Sequence, residues 1–270
     1  MIKLIAIDLD GTLLDSQKQL SQENISTLQA ATQAGVKIVI CTGRPMTGVR
    51  PIFDQLGFTE QEYMIINNGC STYETQNWEL VHDYHLTAEE LTRLYETVAE
   101  EDGIQLVISD SADHYYVVGE APSDLVTYDA SLVYTTPTQI SLEDLLAKPD
   151  VQFQAMFMGE ESLLNAFQDK YEDQLSQLFS TVRSQSYIFE AMPQGATKAT
   201  ALAQLCQDLD VPASQVMAIG DANNDLEMLR YAYHSVAMGN SEDHIKDLCR
   251  YTTATNNESG VAKIIQELVL

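Results

Sequence analysis

The sequence is poor in positive charge. Lysine and arginine number 14 against 40 aspartates and glutamates, for a formal net charge of −26. A field of that sign repels nucleic-acid phosphates and anionic lipid surfaces, so neither is an expected partner. Long apolar runs are also missing: no segment reaches the about 20 apolar residues that span a bilayer. The first residues lack the apolar stretch and small-residue cleavage site of a secretion signal. Cysteine is scarce, and Cys41, Cys70, Cys206 and Cys249 are widely spaced with no C-x-x-C pair. Such spacing reads as reduced thiols and not a disulfide framework. These absences together point to a soluble, cytoplasmic protein. No repeat or low-complexity stretch interrupts the chain.

What remains is a globular composition, 45% hydrophobic and 8% aromatic, over 270 residues. That length exceeds the usual domain of about 100–200 residues, so one large or two modest domains are expected. The acidity sets a condition on any anionic substrate. Because salt screens charges over about 8 Å, local cations and a metal must dominate the site.

Ile2 to Leu14 runs an apolar β-type segment into two carboxylates, Asp8 and Asp10, separated by one residue. Side chains at i and i+2 of an extended chain point the same way, and the carboxyl end of a strand is where open α/β sheets bind ligands. Like charges so close repel unless a cation bridges them or one takes a proton. The pair is therefore a candidate for Mg²⁺ binding, for a nucleophile with a general acid, or for both, and Gly11 lets the backbone turn sharply after it. The bland reading is a solvated acidic strand end before a glycine turn.

Three later segments bear on that choice. Residues 21–34 have helical spacing and Gly35 stops them; Val36–Cys41 and Met64–Ile66 are short apolar runs of the kind buried in parallel sheets. Thr42-Gly43-Arg44 follows the second strand as Asp8 follows the first, a hydroxyl, a free N–H and a guanidinium suited to phosphate. Lys198 starts a helix expected over 198–209, where it offers a point charge to an anion; by itself such a lysine reads as solvated surface. The strand Val216–Ile219 then runs into Gly220-Asp221-Ala222-Asn223-Asn224-Asp225, again placing acids after a buried-looking strand, with a helix-capping Asx turn as the plain alternative. Between these segments the texture changes. A helix is expected over 87–101, strands over 105–109, 114–118, 151–158, 178–184 and 187–191, a helix over 162–175, and a terminal helix over 261–268. The alternation predicts an α/β fold, a Rossmann-like parallel-sheet core with an inserted α/β domain.

These segments, in this order, resemble the haloacid dehalogenase superfamily and in particular its Cof-like phosphatases, across nearly the whole chain. The D-x-D-G-T-L-L motif is Asp8 to Leu14, T-G-R is Thr42 to Arg44, N-G is Asn68-Gly69, and G-D-x-x-N-D is Gly220 to Asp225. Ala237-Met238-Gly239-Asn240 and Glu258 to Ala262 are similar to the Cof-type carboxyl-terminal pattern. Ala199 stands where the family has glycine after its lysine, and Ser241 where it has alanine; neither position carries a chemical group of the reaction. The resemblance implies a core over 1–83 and 192–270 and a type II cap over 84–191.

It also implies a Mg²⁺-dependent phosphatase acting on small phosphorylated metabolites, sugar phosphates first, through an aspartyl-phosphate. Asp8 is then the nucleophile and Asp10 the general acid and base. The metal ligands are Asp8, the Asp10 carbonyl and Asp221, with Asp225 holding metal waters or orienting Lys198. Thr42, Gly43, Lys198 and Asn224 cradle the phosphoryl group, and Arg44 contacts substrate or cap. The alternatives are a phosphomutase and a non-catalytic phosphosugar-binding regulator, although a regulator would not need both Asp8 and Asp10. A receiver-type switch needs no inserted cap, and no G-x-G-x-x-G follows the first strand to support dinucleotide binding.

Overall fold

A computed structural model describes residues 1–270, and the chain divides into two compact units. The first comprises Met1–Thr42, Arg50–His82 and Thr197–Leu270; the second comprises Gly43–Val49 and Asp83–Ala196. No helix is long and apolar enough to cross a membrane. All four cysteines are free thiols.

The chain begins with β1 (Leu4–Asp8), α1 (Gln22–Gln33), β2 (Lys37–Cys41), α2 (Met46–Leu56), β3 (Tyr63–Ile66), β4 (Ser71–Glu74) and β5 (Leu80–Asp83). Ser21 caps α1 by accepting the Asn24 N–H, and Leu28 and Ala31 face inward. α2, the helix expected between the second and third strands, contains Pro51, whose missing N–H removes one hydrogen bond from the helix interior.

The second unit holds α3 (Ala88–Val98), β6 (Ile104–Asp110), β7 (Tyr115–Val118), α4 (Asp124–Leu132), β8 (Pro137–Ile140), α5 (Leu142–Leu146), β9 (Gln152–Gly159), α6 (Glu161–Leu175), β10 (Phe179–Gln185) and β11 (Ile188–Pro193). Its sheet has the order β10-β11-β9-β6-β7-β8. All neighbours are antiparallel except the parallel pair of β7 and β8. Leu91 and Leu94 of α3 and Leu164 and Phe167 of α6 pack with Leu106, Ile108, Phe157 and Phe189 of the sheet into one buried cluster. The helix expected to reach residue 101 stops at Val98, and α4 was not visible in the sequence because its nine residues show no strong apolar stripe.

The chain returns with α7 (Lys198–Asp208), β12 (Val216–Gly220), α8 (Leu226–Tyr231), β13 (His234–Ala237), α9 (Asp243–Leu248), β14 (Tyr251–Thr252) and α10 (Gly260–Leu268). The sheet of the first unit has the order β14-β13-β12-β1-β2-β3-β4-β5. Its neighbours from β14 to β3 are parallel, whereas β4 turns back antiparallel to β3. β1 and β2 grow the sheet one way and β12 to β14 grow it the other, so the topological switch point lies between β1 and β12.

Register then decides what meets there. Leu4 to Ile7 pair with Val216 to Ile219, and Asp8 pairs with Cys41. Asp8, Thr42 and Asp221 are therefore carried to the same edge of the sheet, although more than two hundred residues separate the first from the last. Burial of Leu4, Ala6, Val39, Leu202, Leu205, Val216 and Ala218 in one cluster with α7 and α8 holds that register.

Candidate functional site

The site of the first unit is built from four strand-to-helix connections. The first is the turn after β1. Gly11 sits at φ +85°, and a Cβ there would collide with the Asp221 carboxylate, so this position both needs the left-handed conformation and requires a bare Cα. Thr12, fully buried, donates its hydroxyl to Asp221 Oδ1 at 2.8 Å. The turn is thereby tied to the loop after β12. Lys18 Nζ meets Asp10 Oδ1 at 2.7 Å, a contact that nothing in the sequence marked.

The second connection, after β2, fixes Thr42. Its N–H donates to the Ile65 carbonyl at 2.9 Å and its carbonyl accepts the Asn68 N–H at 3.0 Å, and the residue is buried. Gly43 and Arg44 belong to the short segment that groups with the second unit, where Arg44 Nη1 donates to the Gly48 carbonyl at 3.2 Å.

The third connection delivers Lys198. Thr197 caps α7 by accepting the Thr200 N–H, which places Lys198 at the first helical position. The side chain is 1% exposed, and its Nζ lies 2.6 Å from Asp8 Oδ1 and 2.7 Å from Asp225 Oδ1. The reading of an isolated helix-start lysine as solvated surface is thus corrected: two buried carboxylates supply the partners that make an interior ammonium tolerable.

The fourth connection follows β12. Asp225 directs Oδ2 at the N–H groups of Asp221 (3.0 Å) and Ala222 (3.1 Å), while its Oδ1 holds Lys198. Both of its oxygens are therefore engaged, which suits a residue that positions others. Gly220 permits this packing, because a Cβ there would lie 2.7 Å from the Asp225 side chain. Asn224 Nδ2 lies 3.5 Å from Asn68 Oδ1. Asn240 donates to the Gly11 carbonyl at 2.8 Å and so braces the first turn from the far end of the chain. Of these supporting groups, Thr12, Asn68 and Asn240 stand inside motifs legible in the sequence; Lys18 does not.

Electrostatics follow from this crowding. Burial is the chief reason the Asp8 carboxyl is raised well above the carboxylate range; the charge of Asp225 adds to it and Lys198 opposes it. Burial likewise pushes Asp221 up to about 6, with the Thr12 hydroxyl pulling the other way. Lys198 would lose its proton more readily through burial, yet Asp225 and Asp8 outweigh that and hold it charged. One oxygen from each of Asp8, Asp221 and Asp225 lies within 4.8 Å of the others. Three acids against one ammonium leave negative charge uncompensated, and hard carboxylate oxygens are the donors that Mg²⁺ prefers. The donor set fits that ion.

A family model described as haloacid dehalogenase-like hydrolase matches residues 5–265. The chain belongs to that family. Among its relatives, the protein YxeH of Bacillus subtilis is 35% identical over 271 residues, covering 100% of this chain and 99% of its own length. The 5-amino-6-(5-phospho-D-ribitylamino)uracil phosphatase YitU of the same organism is 31% identical, covering 98% and 96%. Among solved structures, a haloacid dehalogenase-like hydrolase from Bacteroides thetaiotaomicron is similar with a TM-score of 0.87 and 29% identity, covering 99% of this chain and 100% of that one. As a haloacid dehalogenase-like hydrolase, the chain has the α/β architecture expected from its sequence, with a mainly parallel sheet and a second sheet.

Proposed function

We propose that the protein is a Mg²⁺-dependent phosphatase that hydrolyses small phosphorylated metabolites through an aspartyl-phosphate. The observation that carries this reading is Asp8 at the end of β1, ion-paired to buried Lys198 at 2.6 Å and converging with Asp221 and Asp225. Mg²⁺, held by Asp8, Asp221 and the Asp10 carbonyl, would supply Lewis-acid stabilisation of charge on the transferring phosphoryl oxygens.

In this mechanism an Asp8 oxygen attacks phosphorus in line with the leaving oxygen, and the bond to that oxygen breaks as the new one forms. Asp10 donates a proton to the departing alkoxide, then takes one from the water that attacks the aspartyl-phosphate. Asp8 is regenerated and phosphate leaves. Lys198, already fixed between Asp8 and Asp225, needs no reorganisation to stabilise the phosphoryl charge, and Thr42, Gly43 and Asn224 supply neutral donors. Asp225 orients Lys198. Local cations thereby offset the repulsion that a net charge of −26 imposes on an anionic substrate.

Sugar phosphates are the first substrate class to test. The name of YitU adds a ribityl phosphate, and flavin mononucleotide and pyridoxal phosphate complete the panel. The deciding experiment is phosphate release from this panel with Mg²⁺, by wild type and Asp8→Asn. An amide cannot accept the phosphoryl group, so the variant should fold and be inactive; retention of more than a few per cent of turnover overturns the covalent mechanism.

A further inference from the structure

A cavity lies at the amino-terminal ends of three neighbouring strands, the opposite end from Asp8. Ser214 precedes β12, Tyr233 precedes β13 and Arg250 precedes β14, and all three line a cavity of about 720 Å³ together with Arg230 and Tyr231. The volume lies in the range of small-molecule sites. The chain has six arginines, and two of them line this one cavity. Both are exposed, and neither guanidinium forms an ion pair with any of the 40 acidic residues. Arg93, by contrast, meets Glu89 at 3.7 Å in the usual surface manner.

The walls pre-order one of these groups. Arg250 Cζ lies 3.7 Å from the centre of the Tyr233 ring, a cation–π contact that restrains the guanidinium beside the cavity. Tyr233 in turn meets His234 edge-on at 5.0 Å, and the His234 ring is stacked 6.3 Å from Tyr251. Burial chiefly, and after it the charges of Arg250 and the amino terminus, depress the His234 pKa.

We propose that this cavity is a second anion site, which holds a phosphate or a phosphate ester through the paired forks of Arg230 and Arg250. Guanidinium forks match the oxygens of a phosphoryl group two at a time. The tyrosine rings beside them give an organic substituent an apolar surface to cover. The site is independent of the hydrolytic reading, since it uses none of the residues near Asp8.

The test follows the six arginine side-chain Nε–Hε signals of the full-length protein by NMR while one of two probes is added at constant ionic strength. The probes are inorganic phosphate and phenylphosphonate, whose carbon–phosphorus bond resists hydrolysis. The Arg230 and Arg250 signals should shift saturably, with half-saturation at or below about 1 mM. Equal affinity for both probes identifies phosphate itself as the ligand, and tighter binding of phenylphosphonate identifies an ester. Arg230→Gln should weaken binding at the Arg250 signal by about tenfold or more, and Arg250→Lys, which keeps charge but loses the fork, should weaken binding at the Arg230 signal less than that. Both variants should release phosphate from p-nitrophenyl phosphate at the wild-type rate. Signals that stay fixed with both probes, or drift linearly without saturating, overturn the proposal. So does undiminished binding in Arg230→Gln.

Discussion

Lys198→Met is the sharpest perturbation of this structure. Methionine keeps most of the aliphatic stem, so the buried volume at the start of α7 stays filled while the charge is lost. What remains is Asp8, 7% exposed, and Asp225, 0% exposed, each stripped of an ammonium that stood 2.6 or 2.7 Å away. Removing one partner of a buried ion pair costs about 3–5 kcal/mol, and two stranded carboxylates put this case at the upper end. Much of a total stability of about 5–15 kcal/mol is then at stake. The assay is urea unfolding of the chelated protein at neutral pH, repeated for Asp8→Asn and for the double variant. Because Asp8→Asn removes one of the stranded charges, the double variant should be more stable than the sum of the single effects by about 1–3 kcal/mol. The penalty should also shrink at low pH, because burial already holds the Asp8 carboxyl well above the carboxylate range and its protonation removes that stranded charge. A loss under about 1 kcal/mol, or strict additivity, would refute the account of Lys198 as the ion that makes this cluster foldable.

The chelated wild-type protein should itself lose stability as pH rises through the range from 3.8 to about 6, because folding raises the Asp221 pKa by that interval. At ~1.4 kcal/mol per unit the contribution is about 3 kcal/mol; Mg²⁺ should accordingly raise the melting temperature more at pH 8 than at pH 5, and equal shifts would contradict it. Ca²⁺ should inhibit in competition with Mg²⁺, since its longer and looser coordination displaces the in-line geometry; full activity after exhaustive chelation would remove the metal from the mechanism. Exchange of Thr87–Ser186 for the corresponding segment of another family member should change which metabolite is preferred while p-nitrophenyl phosphate hydrolysis survives. A folded chimera with the original ranking would place specificity in the other unit.

The sequence by itself determined the kind of fold and the identity of the candidate groups. Apolar runs such as Leu4–Ile7 and Val216–Ile219 are long enough to be buried strands and too short to be much else, and each ends in acids that burial alone cannot explain. Those patterns are local, so they can be read along the chain. Lys198 shows the limit: a helix start looks the same whether its lysine meets water or two carboxylates, and only the pairing of β1 with β12 brings Asp8 and Asp225 to it. The same holds for Thr12 on Asp221 and Asn240 on Gly11, contacts across 209 and 229 residues. Lys18, eight residues from Asp10, is nearer in sequence but depends on a turn with Lys18 at φ 61°, which no residue pattern announced. The weakly striped α4 was settled by tertiary packing, which overrides local propensity when it buries enough apolar surface. Charges in a folded site act at a few ångströms, and sequence separation carries no information about distances of that size.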